Sequence, residues 1–226
     1  MLALSKIKKT ASGPDSIPYW VWRDNALLLA PVVTFIWNLS LCSYTWPEGW
    51  KESNISPLSK VDTTSQHQDF RGINVTPVIA RCFEKIVYHK FSKQAFEENL
   101  GPTQYASREG CNCTDAFINL QYNCLKALDD RKCRYVRLFA MDFARAFDNV
   151  RHSIHSDKLR AFDLNPYITN WYLSFLRNRK QRLVFSGTQL LLVRCSSYCW
   201  YNVNKSTTQG SVSGPNLIFL LMISIL

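Results

Sequence analysis

No Cys-x-x-Cys pair occurs in this sequence, although it carries eight cysteines. The closest spacings are Cys111/Cys113 and Cys195/Cys199, and neither has a histidine at ligand distance along the chain. A zinc ribbon or finger needs such pairs, so a structural zinc site is not expected. No apolar stretch long enough for a signal peptide follows Met1. Reduced thiols and an intracellular setting are therefore the expectation. Long hydrophobic runs are missing too: the best, Leu217 to Leu226, falls short of the roughly 20 residues a bilayer demands, so no membrane partner is expected. An apolar segment at the very end reads as a core cut short. Glycine and proline are sparse, at 8 and 9 residues, and there is no repeat or low-complexity tract, which excludes collagen-like and disordered classes.

Acidic side chains are outnumbered as well. Seventeen Asp and Glu face 27 Lys and Arg, leaving a formal charge of +10. An excess of this size suits a partner rich in phosphates, because each neutralised phosphate releases a counterion. What the chain does have is apolar and aromatic material, 46% and 13%, enough for a folded core.

Periodicity predicts a mixed α and β chain. Lys6 to Pro18 is basic and then turn-rich, a loop. Trp20 to Leu41 reads as a helix interrupted or started near Pro31. Glu48 to Lys60 contains a short strand ending in Lys60, Thr63 to Asp69 a polar tip, and Phe70 to Val75 a return strand that brings Arg71 near Lys60. Val78 to Phe96 and Thr114 to Leu128 place apolar residues at three- and four-residue steps and predict helices. Tyr135 to Met141 is compact and strand-like. Further helices are predicted over His152 to Phe162 and Tyr167 to Leu176, strands over Gln181 to Phe185 and Leu190 to Val193, and an apolar helix closes Ser211 to Leu226.

Chemistry concentrates in Phe139 to His152. A carboxylate just past a buried strand, Asp142 here, is held by rigid backbone and faces a cleft where a divalent cation can be gripped. Asp148 reads instead as a helix cap.

Asp142-Phe143-Ala144-Arg145-Ala146-Phe147-Asp148, with Val150 and His152, resembles the first catalytic motif of LINE-type (non-LTR) reverse transcriptases, D-x-S-K-A-F-D-x-V-x-H. Other blocks follow in the order of that family. Thr10 to Pro18 resembles G-P-D-G-I-P, and Trp50-Lys51 through Lys60 matches W-K-x-x-x-I-x-P-x-x-K. Asp69 to Ile73, with Pro77 and Glu84-Lys85, is similar to the Y/F-R-P-I block and the helix behind it. Gln104 to Arg108 and Thr114 to Ala116 echo Q-x-G-F-R and the helix after it. Trp171 to Phe185 and Thr208 to Pro215 complete the series, the last resembling P-Q-G-S-V-L-G-P.

The resemblance implies an α+β right-hand polymerase: fingers over approximately residues 1–110 and a partial palm over 111–226, stopping before the Ala-Asp-Asp motif. It implies RNA-directed DNA synthesis with Mg²⁺, an RNA template, a DNA primer and dNTPs, and no stable protein partner. Asp142 would be a shared metal ligand and the catalytic acid. Phe147 would be the steric gate beneath the sugar, and Gln209 and Gly210 would lie beside the incoming nucleotide. Lys60 and Arg71 would grip its triphosphate. A second expectation is a catalytically dead, nucleic-acid-binding remnant. The chain departs from the pattern at Arg145 for Lys, Thr208 for Pro, and a surplus over Leu190 to Cys199. With one carboxylate of the metal set present, polymerase activity from this chain alone is not expected.

Overall fold

The computed structural model describes residues 2–106, 108–142, 151–161, 164–184, 199–203, 205, 210–215 and 217. Helices α1 (Leu2–Ser5), α2 (Tyr19–Asp24) and α3 (Ala26–Cys42) come first, then β1 (Glu52–Ser59) and β2 (Phe70–Val75). Helices α4 (Val78–Val87), α5 (Lys93–Asn99), α6 (Cys113–Leu128), α7 (His152–Ala161) and α8 (Pro166–Leu176) follow, and β3 (Arg179–Leu183) and β4 (Tyr201–Val203) come last. The class is α and β mixed, as expected.

The described strands form one four-stranded sheet in the order β2-β1-β3-β4. β1 pairs antiparallel with β2, and the match of Leu58 to Arg71 and Ser59 to Phe70 makes the predicted hairpin. On its other edge β1 runs parallel to β3, Glu52 opposite Lys180. β4 closes against β3, antiparallel.

Helix starts follow local chemistry. Asn112 caps α6: its Oδ1 accepts from the Thr114 and Asp115 N–H groups at 2.7 and 3.1 Å, and Asp115 Oδ2 accepts from the Asn112 N–H at 2.9 Å. Asn165 does the same for α8, with Pro166 in the first turn, where its missing N–H is no loss.

Three expectations need correction. The first helical stretch breaks at Asn25, not at Pro31, which sits inside α3. Asn25 leaves helical geometry at φ −101°, ψ 23°, and its amide donates to the Val21 carbonyl at 3.0 Å, finishing α2. Between α4 and α5 a π turn spans Tyr88–Ser92. Its extra residue rotates the following face, so Phe91, expected inside, is 43% exposed. Most important, Tyr135 to Met141 forms no strand, and Phe139 and Met141 are 83% and 84% exposed. A run apolar on both faces is stable as a strand only when sheet neighbours cover it, and among the described residues none does. The strand predicted over Leu190 to Val193 lies outside the described residues.

The main core is aromatic. Trp46, Phe83, Trp171, Tyr172 and Phe175 are essentially inaccessible. Trp46 meets Trp171 edge-on at 4.8 Å and Phe175 at 4.9 Å, while Phe83 stacks on Trp37 at 5.1 Å. These rings tie α3, α4 and α8 to the turn before β1. Two polar edges are satisfied where α8 crosses its neighbours: Trp171 Nε1 donates to Ser40 Oγ and the Tyr172 hydroxyl to Ser92 Oγ, each at 3.1 Å, whereas the buried Trp37 and Trp46 Nε1 groups have no partner among the described residues.

The loop before α2 docks on the junction between β2 and α4. A Cβ on Gly13 would sit 2.5 Å from both Cα and N of Pro77 and 2.7 Å from Thr76 C. Backbone cannot yield as a side-chain tip does. Gly13→Ala is therefore expected to cost about 1–3 kcal/mol, the range for overpacking a tight contact, read as a lower urea midpoint. An unchanged midpoint would mean the loop does not seat there.

Candidate functional site

The hairpin of β1 and β2 carries the two cations singled out in the sequence. Cross-strand register puts Arg71 opposite Leu58, and Lys60 continues the ladder with its N–H donating to the Asp69 carbonyl at 2.8 Å. Residues two apart on a strand share a face, so Lys60 and Arg71 lie on one face, a diagonal step apart. Both are exposed. The tip is pinned by Asp69, whose carboxylate accepts from the Ser65 and Gln66 N–H groups at 2.8 Å each. Those backbone bonds hold the Asp69 carboxyl below the usual range, the nearby Lys60 adding to the effect. Lys60 Nζ donates to the Gln68 carbonyl at 2.9 Å.

The Trp50-Lys51 pair anchors this hairpin from below. Trp50 packs against Trp46 and Phe83, and Lys51 is buried with Nζ on Glu48 Oε1 at 2.6 Å. Its role here is structural.

Gly210 reaches the same hairpin from the far end of the chain. At φ +102° it occupies backbone space that side chains rarely adopt, and a Cβ there would meet Asn74 O at 3.4 Å and Ile73 Cγ2 at 3.6 Å. The turn thus lies against β2, the strand that bears Arg71.

A buried carboxylate fixes that turn. Glu84 of α4 is 3% exposed and accepts from the Ser213 N–H at 2.9 Å and from the Ser213 hydroxyl. Ser211 Oγ accepts from the Gly214 N–H at 2.9 Å, and the Ser213 carbonyl accepts from the Leu217 N–H at 2.9 Å. Burial pushes the Glu84 carboxyl up, against the opposing pull of the Ser213 bonds and of Arg179. Arg179 is itself buried, pulled down to about 10 by desolvation, with Nη1 donating to the Phe175 carbonyl at 3.1 Å and its guanidinium 4.6 Å from the Phe175 ring.

Asp142 stands apart. It is exposed, at the end of the uncovered Tyr135 to Met141 run. Among the described residues no group of three His, Cys, Asp or Glu side chains could hold a metal ion. One exposed carboxylate offers hard oxygen ligands of the kind Mg²⁺ takes, but a clamp of two cations requires more donors than it supplies. The described residues therefore do not build the metal centre. Phe147 and Gln209 lie outside the described residues.

Lys60, Arg71 and Gly210 thus gather on the hairpin, and Asp142 is not joined to them by any described contact. Glu84, Ser213 and Arg179 went unpicked as site residues in the sequence. The signal for Glu84 was its spacing: four after Ala80 and three before Val87, it falls on the buried face of α4.

The family described as Reverse transcriptase (RNA-dependent DNA polymerase) matches residues 58–226. The chain belongs to the reverse transcriptase family. The match spans well over half of it, and relatives point the same way. A Retrovirus-related Pol polyprotein from type-1 retrotransposable element R1 of Bradysia coprophila is 22% identical over 96% of this chain. A putative 115 kDa protein in type-1 retrotransposable element R1DM of Drosophila melanogaster is 26% identical over 78% of it. This reverse transcriptase chain is thus of the non-LTR retrotransposon kind, and it spans only 20% and 16% of those relatives' lengths. No helix among the described residues is long and apolar enough to cross a membrane.

Proposed function

We propose that this chain supplies the fingers and part of the palm of an RNA-directed DNA polymerase, with residues up to about 110 as fingers and the remainder as palm. The carrying observation is the clamp from Glu84 to Ser213, which seats the Gly210 turn against β2 beside the face bearing Lys60 and Arg71. On this reading Lys60 and Arg71 grip the triphosphate, Arg71 through its planar fork. Gln209 and Gly210 border the incoming dNTP, Phe147 gates the sugar, and Asp142 is one ligand of a Mg²⁺ pair. Template RNA and primer DNA lie across the palm.

The test is primer extension on an RNA template with dNTPs and Mg²⁺. The isolated chain is expected to incorporate nothing above background, because no further carboxylate of the described residues joins Asp142. Fused to the region that follows the matched segment in the Bradysia coprophila protein, it is expected to extend the primer, and Asp142→Asn should return that fusion to background. Equal extension by the fusion with and without Asp142→Asn would sink the proposal.

A further inference from the structure

The polar contacts of the turn from Gly210 to Gly214 converge on a single acceptor. Within the turn, Ser211 Oγ accepts from the Gly214 N–H, and the Ser213 carbonyl accepts from the Leu217 N–H, each at 2.9 Å. Among the described residues, the hydrogen bonds that tie the turn to the rest of the chain end on Glu84 Oε1, which accepts from the Ser213 N–H at 2.9 Å and from the Ser213 hydroxyl. Gly210 meets β2 by close approach and, among the described residues, by no hydrogen bond: a Cβ there would lie 3.4 Å from Asn74 O. Val212 packs on the edge of the aromatic core, but apolar contact has no direction and sets no register. Glu84 is thus the described side chain that fixes where the turn sits.

What Glu84 fixes it against is the strand that bears Arg71. β2 ends at Val75 and α4 begins at Val78, with only the buried Thr76 and Pro77 between them. Glu84 follows Val78 by about 9 Å along the helix axis, at a rise of about 1.5 Å per residue. Its neighbours Ala80, Phe83 and Val87 are 1%, 1% and 0% exposed, so the carboxylate cannot shift without moving the core. Strand, helix and carboxylate make one arm, and the turn hangs from its end. Groups that act together on one ligand depend on their spacing, and a misplacement on the order of 1 Å weakens them steeply. We infer that Glu84 is a positioning residue for the incoming deoxynucleoside triphosphate: through Ser213 it holds the Gly210 turn in place relative to Arg71, and it touches no part of the nucleotide. The inference rests on the reading that Lys60, Arg71 and Gly210 border one nucleotide.

The experiment titrates the full 226-residue chain with a fluorescent deoxynucleotide, mant-dATP, in the presence of Mg²⁺. Wild type is expected to bind saturably, and Lys60→Gln with Arg71→Gln to lose that binding. Ser213→Ala and Glu84→Ala are each expected to raise Kd about tenfold, and Glu84→Gln, which keeps an acceptor oxygen, to raise it less. Leu159→Ala, at a fully buried position on α7, lowers stability elsewhere and is expected to leave Kd at the wild-type value. A double variant separates positioning from mere stability. Gly210→Ala strains backbone at φ +102°, and by itself it is expected to raise Kd about tenfold. Because Glu84 acts through the turn, Glu84→Ala with Gly210→Ala should bind about as weakly as either alone, whereas independent effects would multiply to about a hundredfold. Multiplied effects, an unchanged Kd in Ser213→Ala and Glu84→Ala, or an equal rise in Leu159→Ala would each overturn the inference. Urea midpoints show whether every variant is folded, and Ser213→Ala with Gly210→Ala makes the same cycle where Glu84→Ala is not. Binding that is absent from wild type, or survives loss of both cations, counts against the nucleotide site itself, and the inference falls with it. Binding lost with the cations but kept in the Glu84 and Ser213 variants counts against the inference alone.

Discussion

Trp171→Ala is expected to lower the unfolding free energy by about 3–5 kcal/mol, the range for deleting a large buried aromatic. Trp171 is fully buried in α8, edge-on to Trp46 at 4.8 Å and to Phe83 at 5.3 Å. Alanine there opens a cavity at the point where three elements converge, and rigid neighbouring rings cannot collapse to fill it. Ser40 also loses the indole N–H it accepts at 3.1 Å. Typical domains are stable by only about 5–15 kcal/mol, so the variant forfeits a large share. Trp171→Phe keeps a ring and gives up mainly the hydrogen bond, so it should cost clearly less. Urea unfolding measures both, with a midpoint that falls and a slope that does not change. A loss under about 1 kcal/mol for alanine would show that the aromatic core is not organised around this residue.

Glu84→Ala is expected to cost about 2–5 kcal/mol by a different route, since each buried donor left without its acceptor costs about 1–3 kcal/mol. It leaves the buried Ser213 N–H and hydroxyl without their acceptor. Glu84→Gln retains an acceptor oxygen and should be milder. The two variants also differ in pH behaviour. Burial raises the Glu84 carboxyl above its ordinary 4.5, so the folded chain holds this proton more tightly than the unfolded chain does. That contribution is fully present below pH 4.5 and is lost as pH rises through the elevated folded value. The stability difference between wild type and Glu84→Gln should therefore shrink with rising pH, as read from urea midpoints at pH 4 and pH 7. A difference that grows instead would mean that the ionised carboxylate is the favoured form. Hydrogen exchange at the Ser213 amide gives a local readout: protection should fall in Glu84→Ala.

Local patterns made much of this structure legible. Apolar steps of three and four marked α4, α6 and α8, and Pro77 and Asn165-Pro166 marked the starts of α4 and α8, while the Asn112 cap of α6 came from the fold. Alternation around a polar tip gave the β1–β2 hairpin and set Arg71 near Lys60. What stayed hidden depends on distant partners or on contradictions to average behaviour. Tyr135 to Met141 has strand composition, but a strand is defined by a neighbour that sequence pattern does not supply. α3 is apolar nearly all round, so its periodicity could not separate Asn25 from Pro31 as the break. Glu84 is an acid where acids are rarely buried, and Lys51 a lysine under a strand, so each looked like surface. The motif order identified the family, whereas the juxtaposition of Gly210 with β2 came only from the fold.

The parallel pairing of β1 with β3 bears on how the chain emerges during synthesis. Arg182 Nε donates to Asn54 Oδ1 at 2.8 Å across 128 residues of sequence. The β1–β2 hairpin closes locally, yet the other edge of β1 has to wait for its mate. At roughly 5–20 residues per second of translation, that wait lasts about 6–25 s. Throughout it an open strand edge is available to any extended peptide nearby. The nascent N-terminal half is thus the stage at which intermolecular mispairing competes most strongly with folding.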